Sequence, residues 1–598
     1  MVSLRMMNVS LRTFAAVCAL SLLVSASGCR NKHRRTRSAP NTDKYAGTLQ
    51  KLVAKPQLPK GLLDAKELPS LRWPNFSDYQ PMVAKFYDDR NYEIAWTRDG
   101  APTASANAFI KMFEEAGAKG LIPEDYDASR WPARVQKLGE KSADALSAFD
   151  VLMTVNVMRY ISDLRVGRVN PSHFNFEIPV QDKKYDLAGF VSDNAVDSTD
   201  VPKLIASVEP DSEEYRQTEA ALGRYLELAK QQEQMKREPL PMVRRPLGLG
   251  DAYPAGNELE QRLVFEGDGL ATAGVAGDGL NRITPAATEG LKHYQERHGL
   301  TADGKLTPQT IRSLNVPMTE RVTQLQSSLE RWRWLPEPYL HARLMVNLPE
   351  FVLRGYTPEH KLDFKMKVVV GNVVGDHETP VFTHMMKYLV FRPYWNVPVD
   401  IAKKELVPHI AEDHGYLESK NFEVTDRKGV VLTRYTARQV SQGAAMVRER
   451  PGPKNSLGLV KFMFPNQYDI YLHSTPAVAL FGRTRRDFSH GCIRVQKPED
   501  LAVWALDGQK DKDGEEWDLD KVHEAMTEGP DNHTVGLKTP LPIVIFYLTA
   551  IVEEDGQVHF FDDIYKYDSD MQEVLAKGPP YPVKPEPIVP KTKQGDTL

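Results

Sequence analysis

The spacing of apolar positions changes along the chain, and the changes divide it. From about Tyr79 to Gln232 the spacing is helical. Ala106 to Gly117 sets Phe109, Met112 and Phe113 on one face, and Val151, Val155, Met158 and Ile161 recur at helical spacing. Val201 to Gln232 continues in that style. Residues 238–256 hold four prolines and several glycines, which predicts a boundary. A small helical unit follows, to about Asn315. In it Thr284 reads as an N-cap, Pro285 as the first helical position and Gly299 as the stop, while Asp303-Gly304 makes a turn before Thr307-Pro308 opens another helix. From Arg343 the period falls to two: Leu344–Leu348, Phe351–Tyr356, Phe364–Val370 and Tyr388–Phe391 read as strands. Leu541–Val552, rich in β-branched and aromatic residues, reads as one buried strand. Within this β-rich region residues 400–450 turn polar and read as a helix-and-loop insertion of the length of a lid. Lys577–Leu598 is rich in Pro and Lys and is predicted to be disordered.

The N-terminus carries an address. Arg5 and Arg12 precede an apolar run, Phe14–Val24, that is too short to span a bilayer and has the size of a secretory signal core. Ser25-Ala26-Ser27-Gly28-Cys29 follows and resembles a bacterial lipoprotein signal, in which cleavage leaves a lipid-bearing cysteine at the new N-terminus. Ala26 stands where such signals more often carry Leu, and a plain signal peptide cut after Gly28 is the alternative. The resemblance implies lipidation of Cys29, and Arg30 in place of Asp implies sorting to the outer membrane. Residues 29–74, basic at first and then rich in Pro and Lys, read as a tether beside the membrane surface.

With 598 residues the chain has room for about four domains. Its 41% hydrophobic and 26% charged content is that of a globular protein, which excludes a disordered, collagen-like or disulfide-built chain. A balance of 76 basic against 80 acidic residues gives no electrostatic case for nucleic acid. The three cysteines say more. Cys18 leaves with the signal and Cys29 is the lipidation candidate, so Cys492 is left without a partner for an internal disulfide. A lone thiol in an oxidising compartment is a liability, and its presence hints at chemistry.

That chemistry is carried by Tyr468-Asp469-Ile470-Tyr471-Leu472-His473-Ser474-Thr475-Pro476 and Phe488-Ser489-His490-Gly491-Cys492-Ile493-Arg494-Val495. Alternation places Tyr468, Ile470 and Leu472 on one strand face and Asp469, Tyr471 and His473 on the other, with His473 at the strand end before Pro476. A thiol becomes a nucleophile through a neighbouring base, which a histidine so placed can supply. Gly491 permits a tight turn whose backbone N–H groups can face an oxyanion. His473, His490 and Cys492 could also be read as metal ligands, but no Cys-x-x-Cys or His-x-x-x-His pair accompanies them, and the predicted site holds no metal and no cofactor. A papain- or caspase-type cysteine protease lacks its signatures here, and a non-catalytic wall-binding lipoprotein would leave the motif unexplained.

The pattern resembles the L,D-transpeptidase catalytic domain: a His, a spacer of 15 residues (474–488), then Ser-His-Gly-Cys, an apolar residue and Arg494 where many members carry Asn. Val370-Gly371 with Thr379-Pro380, Tyr394-Trp395-Asn396-Val397-Pro398 and Pro451–Gly458 match the large, scaffold-bearing branch. The stretch from Thr284 to Thr310 resembles the small peptidoglycan-binding module of bacterial wall enzymes. The resemblance implies Cys492 as nucleophile and His473 as general base and then acid. It places Ser474, Ser489, His490, Gly491 and Arg494 around them, and Tyr471 and Trp395 as candidates for the substrate groove. It implies peptidoglycan stem peptides as partners, a thioester intermediate and 3→3 cross-links. The expected architecture is multidomain α+β: signal peptide 1–28, lipid-anchored linker 29–74, helical scaffold 75–240, three-helix peptidoglycan-binding-like module 255–316, β-rich catalytic domain 317–552 with a capping insertion at 400–450, and a tail at 577–598.

Overall fold

The computed structural model describes residues 43–53, 67–269, 281–374, 377–413 and 415–581. The predicted signal peptide, Cys29 and residues 582–598 lie outside them. Among the described residues no helix is long and apolar enough to cross a membrane.

Helix α1 (Asp43–Val53) corrects the reading of 29–74 as a tether. Its Leu49 and Val53 are buried in the scaffold core, and Leu68 and Leu71 are buried further on. Helix α2 (Ala104–Glu114) begins at Thr103, whose hydroxyl accepts from the Ala106 N–H at 3.1 Å. It brings Phe109 and Phe113 against α3 (Ala143–Val166), which is buried almost all round and is the axis of the scaffold. Asp150 sits inside it, accepting from the Trp96 N–H at 2.8 Å and the Tyr87 hydroxyl at 2.8 Å. Burial pushes its carboxyl up to about 6 against those donors.

Helix α4 (Glu213–Met235) leads to the small helical unit. There α5 (Pro285–Arg297) and α6 (Pro308–Leu314) start as their sequence predicts: Thr284 accepts from the Ala287 N–H at 3.0 Å, and Thr307 from the Thr310 N–H at 3.1 Å. Helix α7 (Met318–Trp334) joins the halves of the molecule. Its buried Glu330 accepts from the Val169 N–H at 3.0 Å on the scaffold side, and its Ser328 hydroxyl accepts from the Ala550 N–H at 3.3 Å on the other.

The C-terminal half is built on nine strands among the described residues: β1 (Leu344–Asn347), β2 (Val352–Tyr356), β3 (Leu362–Gly371), β4 (Phe382–Phe391), β5 (Val460–Met463), β6 (Leu472–His473), β7 (Asp487–Ser489), β8 (Ile493–Val495) and β9 (His533–Phe546). Their order is β7-β3-β8-β6-β5-β4-β9-β1-β2, and β2 pairs again with β3, so the sheet closes on itself. Closure leaves few unpaired edges. The overall class is therefore mixed α+β, as expected.

Four expectations need correction. Leu541–Val552 is not one strand: β9 ends at Phe546, and Ala550–Val552 pairs with Val558–Phe560 in a separate hairpin. Asn347 causes the exit, because its side chain takes the Leu548 N–H at 2.8 Å and donates to the Leu548 carbonyl at 3.0 Å in place of a ladder. The hairpin and α8 (Tyr567–Leu575) continue the packed structure beyond 552. The run Tyr468–Leu472 is not an unbroken strand either, since Asp469 adopts φ +54° and only Leu472–His473 join the sheet. The insertion is more than helix and loop: Trp395–Asn396, Phe422–Thr425 and Met446–Glu449 form a small sheet over a core of its own that includes Val397, Ile410 and Val424. Finally, the tail expected to be disordered from Lys577 is placed as far as Tyr581, which packs against the main core.

Candidate active site

The site rests on two short parallel strands. In β6 and β8, Leu472 lies beside Ile493 and His473 beside Arg494, with Leu472 and Ile493 turned into the core. Alternation then puts Tyr471, His473, Cys492 and Arg494 on the opposite face. On the other side β5 pairs with β6 so that Lys461 lies beside His473. Lys461 thus shares that face, with its ammonium 5.5 Å from the centre of the Tyr471 ring.

His473 is buried, and its Nδ1 lies 2.5 Å from the Ser474 carbonyl oxygen. A carbonyl can only accept, so Nδ1 carries the proton and Nε2 is left with its lone pair. Burial, and then the Arg494 guanidinium, push the ring down to about 3, against the pull of the Ser474 and Leu457 carbonyls. Ser474 therefore orients the imidazole through its backbone. Its own N–H donates to the Val460 carbonyl at 2.9 Å, and its hydroxyl packs on Gly458, where a Cβ would lie 2.3 Å from Oγ.

Cys492 is half-buried, and its thiol points to the Asp469 carbonyl at 3.7 Å. Burial pushes the thiol up to about 11, although hydrogen bonds from Tyr471, backbone and phenol, work the other way. The turn before it is tightly held. Ser489 donates to the Cys492 carbonyl at 2.6 Å and accepts from the Gly491 N–H at 3.2 Å. Gly491 has φ +115°, open to glycine alone without strain, and a Cβ there would meet Ile470 at 3.2 Å. Among the described residues the Cys492 N–H has no acceptor, so it can serve an oxyanion.

Not every predicted residue comes to this face. His490 is exposed and turns outward, where its Nε2 meets Glu405 of the insertion at 2.8 Å. Trp395 belongs to the insertion's own sheet and lies 6.4 Å from the Phe422 ring. Sequence reasoning missed Lys461, whose signal was a single charge in the otherwise apolar Val460–Phe464. It also missed a relay behind the turn: Thr379 donates to the Gly491 carbonyl at 2.7 Å and accepts from the Gly371 N–H at 2.8 Å, while Tyr565 donates to the Gly371 carbonyl at 2.7 Å. The buried Asn455 donates to the Arg450 carbonyl at 2.9 Å and accepts from the Leu457 N–H at 2.8 Å, tying the end of the insertion to the loop over His473. Among the described residues no group of three or more His, Cys, Asp or Glu side chains converges to hold a metal ion.

The molecule is thus a multidomain α+β protein with a thiol and a neutral imidazole on one face of two neighbouring strands of a closed sheet, an arrangement suited to passing a proton from sulfur to nitrogen during attack on a carbonyl. Residues 341–515 match the family model of the L,D-transpeptidase catalytic domain, and residues 81–222 match that of a scaffold domain. The stretch 341–515 is thus an L,D-transpeptidase catalytic domain. A Haemophilus influenzae protein provisionally named an L,D-transpeptidase is 30% identical over 279 residues, which is 45% of this chain and 54% of that relative. The match therefore spans about half the length of the relative. The crystal structure of an L,D-transpeptidase (Yku) from Stackebrandtia nassauensis aligns with 50% of this chain and 96% of its own at 14% identity and a TM-score of 0.17.

Proposed function

We propose that the protein is a peptidoglycan L,D-transpeptidase that forms 3→3 cross-links through a thioester on Cys492. The observation that carries this reading is the parallel register of β6 and β8, which sets the His473 and Cys492 side chains on one face. Cys492 Sγ attacks the carbonyl between the L-centre of diaminopimelate and the terminal D-alanine of a tetrapeptide stem. Its proton passes to Nε2 of His473, while Nδ1 stays tied to the Ser474 carbonyl. The Cys492 N–H receives the oxyanion. The C–N bond then breaks, the leaving amine takes the proton from His473, and the thioester remains. An amine of a second stem attacks that carbonyl and gives up a proton to His473; expulsion of the sulfur, with return of the proton, restores the thiol. Lys461 and Arg494 flank the imidazole, which favours its neutral form at rest and negative charge on sulfur and oxygen as the bonds change. The insertion caps the groove, and Cys29 anchors the chain to the outer membrane with its active site in the periplasm.

The test is incubation of the protein with purified disaccharide tetrapeptide. Release of D-alanine and formation of 3→3 dimers are expected, and Cys492→Ala should abolish both while leaving the fold intact. His473→Ala should slow acylation by about 10²–10⁴-fold, the usual worth of a positioned acid–base group. Dimers formed by the Cys492→Ala protein would sink the assignment, and release of D-alanine without dimers would make the enzyme a carboxypeptidase.

A further inference from the structure

The C-terminal half also carries a cavity away from Cys492. It is a cleft of about 900 Å³ between the small helical unit, the closed sheet and the hairpin at 550–560. Six Arg and Lys side chains line it, against three carboxylates. Glu350 is already committed to Arg354 at 2.8 Å, and Arg485 to Asp487 at 2.8 Å. Three cations from three different elements are left without an acidic partner among the described residues: Arg312 of α6, Lys367 of β3, and Arg483, which lies 5.1 Å over the Phe488 ring. All three are exposed.

The wall contains a second unmet polar group. His298 is buried and stacked on Tyr294, with ring centres 3.9 Å apart, and neither ring nitrogen has a hydrogen-bond partner among the described residues. Buried polar groups in folded proteins are normally paired. Here an unpaired imidazole and three unpaired cations border one cavity. One strand links the cleft to the active-site turn. β3 runs from Lys367 to Gly371, which neighbours the Cys492 turn, a distance of about 13 Å at the rise of a strand.

We propose that this cleft binds a carboxylate-bearing peptide strand, a second acidic stem peptide held apart from the one at Cys492. That it is a stem peptide rests on the function proposed above. That the cleft takes a carboxylate chain rests on the cleft alone. Each exposed contact is weak, so three together shift affinity by about tenfold.

The test uses the whole protein with Cys492 first blocked by a carbapenem, which occupies the active site. A fluorophore-labelled tetrapeptide stem with free carboxylates is then titrated by fluorescence anisotropy. Binding is expected, weakening with salt, weakened about tenfold by Arg312→Glu, Lys367→Glu and Arg483→Glu combined, and lost for the fully amidated stem. The same triple variant should still form its carbapenem adduct, which reports its fold. No binding by the blocked wild-type protein, unchanged affinity in the triple variant, or equal affinity for the amidated stem would overturn the proposal. Displacement by inorganic polyphosphate as effective as by the stem would overturn the assignment to a carboxylate peptide. Absence of any carbapenem adduct on wild-type Cys492 would instead count against the catalytic reading.

Discussion

The resting state of Cys492 is open to direct measurement. Burial holds its thiol at about 11, while burial and Arg494 hold His473 at about 3, so near neutral pH the pair is a thiol beside a neutral imidazole and not a thiolate beside an imidazolium. Alkylation by iodoacetamide reads the thiolate alone. At pH 7.5 a thiol at about 11 is ionised to about three parts in ten thousand, and an ordinary cysteine at about 8.5 to about one part in ten. The more basic thiolate recovers about tenfold in intrinsic reactivity. Labelling of Cys492 should therefore run about 30-fold slower than labelling of glutathione at pH 7.5 and keep rising beyond pH 10. Intact-protein mass spectrometry from pH 6 to 10.5 gives both rates. On the proposed mechanism, acylation by a carbapenem draws on His473 as base and should in contrast be flat across that range up to about pH 9. Of the groups that face the thiol, burial pushes the Tyr471 phenol well above its ordinary value, so it stays neutral, while burial lowers the Lys461 ammonium, and loss of that charge would leave the thiol still less acidic. A labelling profile with its inflection at or below 8.5, or a rate at pH 7.5 equal to that of glutathione, would refute the neutral pair and make the site a preformed ion pair.

Other outcomes follow from single contacts. Gly458→Ala places a Cβ 2.3 Å from the Ser474 hydroxyl at a residue with φ +64°, so carbapenem acylation should fall at least tenfold, with thermal unfolding reporting the strain separately. Tyr565→Phe removes the hydroxyl that donates to the Gly371 carbonyl and accepts from the Thr379 N–H; stability should drop by about 1–3 kcal/mol in urea titration, and a larger fractional loss in acylation than in folded protein would mark the relay as positioning the turn. Glu553 is opposed by burial but held down at about 2 by Arg354 and Lys365, so its stabilisation is full above about pH 4.5 and is lost as pH falls toward 2. Glu553→Gln should therefore cost on the order of 3 kcal/mol at pH 7 and almost nothing at pH 2, as followed by denaturant titration at the two pH values.

What the sequence disclosed and what it hid divide along a physical line. The caps at Thr284 and Thr307 are local hydrogen bonds between residues three apart, so residue type and spacing suffice to read them. The shared face of Tyr471 and His473 is equally local, a matter of strand period. The exit of the chain at Leu548 is not, because it depends on Asn347 from the far end of the fold. Tyr565 is of the same kind: nothing in its neighbourhood announces that its hydroxyl will meet Gly371. Asp469 gave no warning of its left-handed backbone because Asn466, three residues earlier, accepts from the Tyr468 N–H at 2.9 Å and bends the run before the strand begins. Had that bend been foreseen, Lys461 would have stood out, since only Leu472–His473 are left to pair with β5.

The Cys492 turn is held from two sides by bonds of different worth. Behind it, Thr379 and Tyr565 bind the Gly491 and Gly371 backbones through buried hydrogen bonds. In front, the insertion reaches it through His490 and Glu405, whose side chains are 40% and 51% exposed. An exposed pair of that kind contributes about 0–1 kcal/mol and is screened by salt, whereas loss of a buried bond leaves an unpaired group at a cost of about 1–3 kcal/mol. The insertion can therefore part from the turn without drawing the thiol out of line with His473. The capping role proposed for the insertion needs that inequality. Glu405→Gln should accordingly leave carbapenem acylation of Cys492 within about twofold of wild type, since so small an interaction cannot be what fixes the nucleophile.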